Sequence, residues 1–259
     1  KYGTTIRSTS FTLVPAYDSL DFGTNIRVRQ FHFSAVRDTL STYNENQQRI
    51  LQNVYVSELK APLDTFTLYT GTFMNEANCE KYLNLGNRIT AGIPVYDGGD
   101  SLSFDFSLEF AESLVQRLNK NYEICDSMDL YLKSIPGIYI TTDAPAAEGG
   151  RINMFDLPLE FDDYGYVSGN YAELKITADY DNRKQVDTSF IFIYGPSSFV
   201  KAGASSSQIP TQYAFNTSEH STDEIYRDGV KAEGNIIVEG GAGVKPIVKA
   251  REIKRLLHD

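Results

Sequence analysis

The chain has 259 residues, 41% of them hydrophobic and 22% charged, with 17 Tyr and 15 Phe but no Trp, a composition that can bury a large core and that suits pleated, half-buried surfaces. Its formal charge of −10 and pI near 4.8, with Lys and Arg scattered along the chain, leave no basic face to neutralise a run of phosphates, which argues against a nucleic-acid partner. The same acidity repels anionic lipid, so membrane contact would need an added anchor, and no apolar run approaches the ~18–20 residues of a spanning helix.

In chain order, residues 4–14 and 26–35 are rich in Thr, Val, Ile and Phe, bounded by Pro15 and Gly23, and they read as strands. Across Ile26–Arg27–Val28–Arg29–Gln30–Phe31–His32–Phe33 the apolar residues change from even to odd positions. That phase change predicts either a β-bulge or a loosely patterned edge strand. A polar linker at 41–46 leads to a strand within 49–59, where Leu51, Val54, Val56 and Leu59 alternate with polar residues. Residues 63–69 form a further strand, and the Asn and Gly content of 71–92 predicts mostly loop.

Residues 101–105 read as a strand. Ser107 can then cap a helix whose Ala111, Leu114, Val115 and Leu118 recur at three- and four-residue spacing. A second short helix starts at Asp126 and stops before Pro136–Gly137. Residues 137–142 and 151–157 are expected to pair, and 171–180 with 186–194 to form an antiparallel hairpin around Asp181–Asn182–Arg183. The Ser-, Ala-, Gln- and Thr-rich stretch 196–222 reads as a long mobile loop, 235–239 as a strand, and 250–258 as an amphipathic helix packed on its own sheet.

Cys79 and Cys125 form a disulfide in an oxidising compartment or stand as two separate buried thiols. Two cysteines and the widely spaced His32, His220 and His258 do not make a zinc site of familiar spacing. Gly240–Gly241–Ala242–Gly243–Val244–Lys245 follows a predicted strand, as a phosphate loop would, but Pro246 stands where a magnesium-holding Ser or Thr is needed. A tight turn is the better reading. Acidic and aromatic residues mix in Glu160–Phe161–Asp162–Asp163–Tyr164 and in Asp179–Tyr180–Asp181. These are either oxygen ligands or flanks of a sugar ring stacked on Tyr, or solvated loop carboxylates. No serine elbow exists, and no catalytic, cofactor or metal residue is assigned; only paired-carboxylate chemistry stays open.

Several segments resemble a family of uncharacterised Bacteroidota lipoproteins catalogued as domain of unknown function 4270. They are Asp38–Thr39–Leu40, residues 53–64 (NVYVSELKAPLD), the helix at 110–118, Ile135–Pro136–Gly137–Ile138–Tyr139–Ile140, and residues 233–249 (EGNIIVEGGAGVKPIVK). The resemblance implies an exported, lipid-anchored protein of the outer membrane, facing the periplasm or the cell surface, with a signal peptide in its precursor and no assigned activity. Lys1–Tyr2–Gly3 shows no signal-peptide pattern, so the start reads as internal and counts nothing against export.

The expectation is therefore a mainly β, antiparallel sandwich or jelly roll with a few short helices. It is divided near residue 145 into lobes 1–145 and 146–259, or continuous. The expected role is non-catalytic binding or scaffolding of an envelope protein or glycan without a cofactor. A carbohydrate-binding or glycan-active β-sandwich, and a structural subunit using strand exchange, are the alternatives.

Overall fold

The structure, a computed structural model, describes residues 5–16, 20–39, 41–43, 49–64, 80–120, 122–143, 150–195, 198–199 and 215–220. The chain starts with two long strands, β1 (Thr5–Pro15) and β2 (Thr24–Val36). The short β3 (Thr42–Tyr43), β4 (Gln52–Leu59), β5 (Leu63–Asp64), β6 (Leu83–Arg88), β7 (Val95–Tyr96) and β8 (Ser101–Asp105) follow. Helix α1 (Leu108–Lys120), a 3-10 turn (Tyr122–Asp126) and helix α2 (Met128–Ser134) come next. The remainder comprises β9 (Ile138–Thr142), β10 (Arg151–Ile152), β11 (Glu160–Phe161), β12 (Val167–Gly169), β13 (Tyr171–Tyr180), β14 (Arg183–Gly195), β15 (Ser198–Phe199) and β16 (Phe215–His220).

Ten strands make one sheet with the order β6-β4-β9-β1-β14-β13-β2-β8, to which β16 adds beside β1 and β7 beside β4. Every pairing in it is antiparallel. β13 and β14, which follow residue 145, lie between β1 and β2, which precede it. β1 serves both halves of the sheet. Its residues Thr12–Pro15 pair with β14, whereas Thr9–Phe11 pair with β9 and Thr5–Ser10 with β16. Just past the ends of β6 and β8, Thr90 and Phe106 form a single antiparallel bridge, with Ala91 N donating to Asp105 O (3.0 Å) and Ser107 N to Ile89 O (2.8 Å). The bridge brings the two ends of the strand order together at that point and satisfies the backbone groups of Ala91 and Ser107 there.

Inward-pointing residues of eight strands form one contiguous core. It includes Phe11 and Leu13 of β1, Phe31 and Phe33 of β2, Val54 and Val56 of β4, Phe104 of β8, Ile138 and Ile140 of β9, Leu174 and Ile176 of β13, and Phe192 and Tyr194 of β14. Phe33 packs against Phe104 (centroids 4.6 Å apart), Tyr194 (5.0 Å) and Phe11 (6.0 Å). α1 adds Phe110, stacked at 6.3 Å on Phe31, and buries Ala111, Leu114, Val115 and Leu118. Ser107 Oγ accepts the Phe110 amide (3.2 Å), so the predicted cap starts this helix. Arg117 fixes its far end through an ion pair with Glu58 (2.7 Å) and a hydrogen bond to the Ser134 carbonyl (3.0 Å).

The other face of β1 is also covered, which is why Ser8, Ser10 and Thr12 are buried there. Thr12 Oγ1 donates to the Ile135 carbonyl (3.0 Å) and Ser8 Oγ to Thr141 Oγ1 (2.7 Å). The buried hydroxyl of Tyr131 donates to the Leu13 carbonyl, and burial raises its pKa well above that of an exposed phenol. Tyr131→Phe is therefore expected to lower stability by about 1–3 kcal/mol, by leaving that carbonyl without its donor. Urea unfolding of the two proteins measures the difference.

Several expectations meet the structure directly. The hairpin of β13 and β14 forms, with a tighter turn than read: Arg183, expected in the turn, starts β14 and faces Tyr180 across Asp181 and Asn182. The phase change in β2 is a bulge: the register passes from Lys175↔Gln30 to Ile176↔Val28, leaving Arg29 as the extra residue. Arg29 Nε uses its position to donate to Thr177 Oγ1 (2.7 Å).

Other expectations are corrected. Residues 137–142 do not pair with 151–157, because both edges of β9 are taken by β1 and β4; the two-residue β10 pairs with β3 instead. A strand, β6, lies inside the supposed loop 71–92, its pairing with β4 prevailing over the weak propensity of Asn and Gly. The stretch 196–222 contains β15, parallel to β5, and β16, antiparallel to β1. The second helix starts at Met128, after the 3-10 turn, rather than at Asp126. The readings for 65–69, 235–239 and 250–258, like the Gly240–Lys245 turn, lie outside the described residues.

Candidate functional site

Of the two acid-aromatic clusters, the first builds a projecting hairpin. β11 and β12 pair through Glu160↔Gly169 and Phe161↔Val167. The turn between them is closed by Asp162, whose amide donates to the Tyr166 carbonyl (2.8 Å) and whose carbonyl accepts from Gly165 (2.9 Å). Asp162 Oδ1 also accepts the amides of Tyr164 (2.9 Å) and Tyr166 (2.8 Å), the local capping that an Asp side chain offers a turn. Gly165 supplies the left-handed backbone the turn needs, at φ +82°.

The base is fastened equally firmly. Asn170, fully buried and at φ +57°, accepts the Val36 amide with Oδ1 (2.8 Å) and donates through Nδ2 to the Pro158 carbonyl (3.0 Å). This ties the hairpin to β2. On the fixed frame three rings face solvent: Phe161 at 60% exposure, Tyr164 at 86% and Tyr166 at 73%. Burying a ring of this size typically stabilises a fold by about 1.5–3 kcal/mol, and these three forgo it together within six residues. Around them Glu160, Asp162 and Asp163 are exposed. Among the described residues, no cation pairs with any of the three.

The second cluster is consumed by the fold. Asp179 Oδ2 accepts Asn25 Nδ2 (2.8 Å) and Lys184 Nζ (3.3 Å), while Oδ1 accepts the Gln185 amide (2.8 Å). These bonds, the Asn25 one foremost, hold its carboxyl below the ordinary carboxylate range. A depressed folded pKa stabilises above the unfolded value of about 4, and that stabilisation is lost as pH falls through the folded value. Asp179→Asn is accordingly expected to lower the melting temperature at neutral pH. The gap from the parent protein should narrow below about pH 4, which melting curves across the acid range will show.

A shallow groove of about 220 Å³ runs between β4, β6 and β9, lined by Tyr55, Ser57, Arg88, Ile93 and Thr141 among others. Asp143 accepts Asn53 Nδ2 (2.8 Å), and its hydrogen bond with the Tyr55 hydroxyl raises that phenol's pKa, keeping it a neutral donor. His32 faces Asp105 across β2 and β8 at 2.7 Å, and His220 lies in β16. Among the described residues no three His, Cys, Asp or Glu side chains converge to hold a metal. Cys125 is exposed in the 3-10 turn, and its proposed partner Cys79 lies outside the described residues.

A buried charged group also escaped sequence reasoning. Arg151, 7% exposed, donates to Gln52 Oε1 (2.8 Å) and the Tyr96 carbonyl (3.3 Å) and lies 5.0 Å from the Tyr96 ring centre. Desolvation lowers its pKa. It binds β10 to β4 and β7, and nothing in its immediate sequence separates it from a surface arginine.

Fold and surface together define a mainly antiparallel β domain that carries a rigid, aromatic-tipped hairpin. In comparisons with known proteins the chain matches no family model, no curated protein and no solved structure.

Proposed function

We propose that this chain is a non-catalytic binding or scaffolding domain of an exported cell-envelope lipoprotein, engaging its partner through the β11–β12 hairpin. The observation that carries the reading is the display of Phe161, Tyr164 and Tyr166 at 60–86% exposure on a turn fixed by Asp162. Three exposed aromatic side chains on one short hairpin support an interaction surface, and Tyr on a hydrogen-bonded turn gives contact area at little entropic loss. Export and the outer-membrane lipid anchor rest on the five segments similar to the Bacteroidota lipoprotein family. The acidic surface supports a partner other than nucleic acid.

A carbohydrate-binding role is the second reading, favoured by tyrosines set beside exposed carboxylates on that same hairpin. Both are tested by passing a glycan array and an envelope extract over the immobilised protein and over its Tyr164→Ala/Tyr166→Ala form. The proposal expects specific retention that the double variant loses. Turnover of a glycan or peptide, abolished by changing a pair of carboxylates, would contradict the non-catalytic reading.

A further inference from the structure

We infer that the β11–β12 hairpin receives a basic protein segment, with an Arg or Lys side chain seated on the rings of Tyr164 and Tyr166. The inference rests on the hairpin being the binding surface and specifies what occupies it. Aromatic faces carry the negative end of the ring quadrupole and attract cations, most strongly where water is displaced. Here the rings stand among the exposed carboxylates of Glu160, Asp162 and Asp163, none of which pairs with a cation among the described residues. Between Arg151 and Lys175 the chain holds Asp156, Glu160, Asp162, Asp163 and Glu173 and not one Lys, Arg or His.

Of these acids, Glu173 is paired with Lys175 (3.3 Å), whereas no described cation pairs with the three at the hairpin. An anionic ligand or an anionic lipid surface would meet like charge at this tip. A neutral sugar could stack on the rings, yet it would leave the charge unanswered. A guanidinium does both, its plane lying on a Tyr ring while its N–H groups reach a carboxylate. The turn holds its shape through Asp162, so little ordering is required on binding.

The test is titration calorimetry of the whole chain with hexa-arginine and hexa-lysine peptides, with neutral oligosaccharides and phosphatidylglycerol vesicles alongside. Tyr164→Ala/Tyr166→Ala retains the formal charge of −10, so it separates the rings from the general acidity of the surface. The peptides should bind, weaken with salt, and lose about tenfold or more in affinity to the double variant. Glu160→Gln/Asp163→Asn should weaken them also, with the melting temperature of both variants near that of the parent. Equal peptide binding by parent and double variant would overturn the inference, as would no peptide binding at all. Oligosaccharide or vesicle binding that needs the rings, without peptide binding, would overturn it too while leaving the hairpin as the binding surface. Failure of the hairpin itself is read separately, from retention on the array and extract that the double variant does not change.

Discussion

Phe33→Ala is expected to remove about 3–5 kcal/mol of folding free energy, the range for deleting a buried phenyl group. Phe33 is 1% exposed. Its ring lies among four others, from β1 (Phe11), β8 (Phe104), the bridge residue Phe106 and β14 (Tyr194). Those neighbours belong to different strands of the sheet, so none can move into the space without disturbing its own pairing. The cavity should therefore stay largely open, which puts the loss toward the upper end. For a chain of this size that corresponds to a melting temperature lower by roughly 10 °C, with an unchanged urea m-value if the unfolded state is the same.

Gly137→Ala should be comparably damaging for a different reason. Gly137 sits at φ +118°, a backbone that side chains rarely adopt, and an added Cβ would lie 2.5 Å from the Phe11 carbonyl oxygen and 3.1 Å from the Thr12 Cα. Both are backbone atoms of the strand shared by the two halves of the sheet. The Gly137 carbonyl meanwhile accepts the Leu59 amide (2.9 Å), so the residue is held from the β4 side and cannot back away. Backbone strain and overpacking each typically cost about 1–3 kcal/mol, and here they add. Urea unfolding should show a loss of roughly 2–6 kcal/mol; a change below about 0.5 kcal/mol, the usual size of a surface effect, would mean that β9 can withdraw from β1.

Much of the fold was legible because it depends on local pattern. Strand-favouring composition marked β1 and β2 and alternation marked β4, while β8, β13 and β14 also fell within segments read as strands. The change of phase at Val28–Phe31 located the bulge, since a side-chain period of two makes one extra residue visible. Ser107 and the spacing of Ala111, Leu114, Val115 and Leu118 specified α1. Pairing partners were not legible in the same way. β9 is flanked by β1 and β4, whose paired residues are 80 or more positions away in the chain, and no local signal encodes that choice. β6 was missed since LNLGNR has weak strand propensity and takes its conformation from β4.

The candidate site shows the same limit. Both acid-aromatic clusters were visible in the sequence, but Asp179 and Asp162 are alike there. The structure separates them: Asp179 is occupied by Asn25, Lys184 and Gln185, whereas Asp162 organises a turn whose rings point outward. Exposure of Tyr164 and Tyr166 depends on where the sheet leaves that turn, which is a property of the tertiary fold.

The central claim is that these rings serve binding and not folding. The measurement that tests it most directly is retention of envelope components and array glycans by the parent protein and by Tyr164→Ala/Tyr166→Ala, with a melting curve of each. The expected result is loss of retention, about tenfold or more, at a melting temperature changed by no more than about 2 °C, as for exposed substitutions. Undiminished retention by a folded double variant, or a variant that no longer folds, would contradict it.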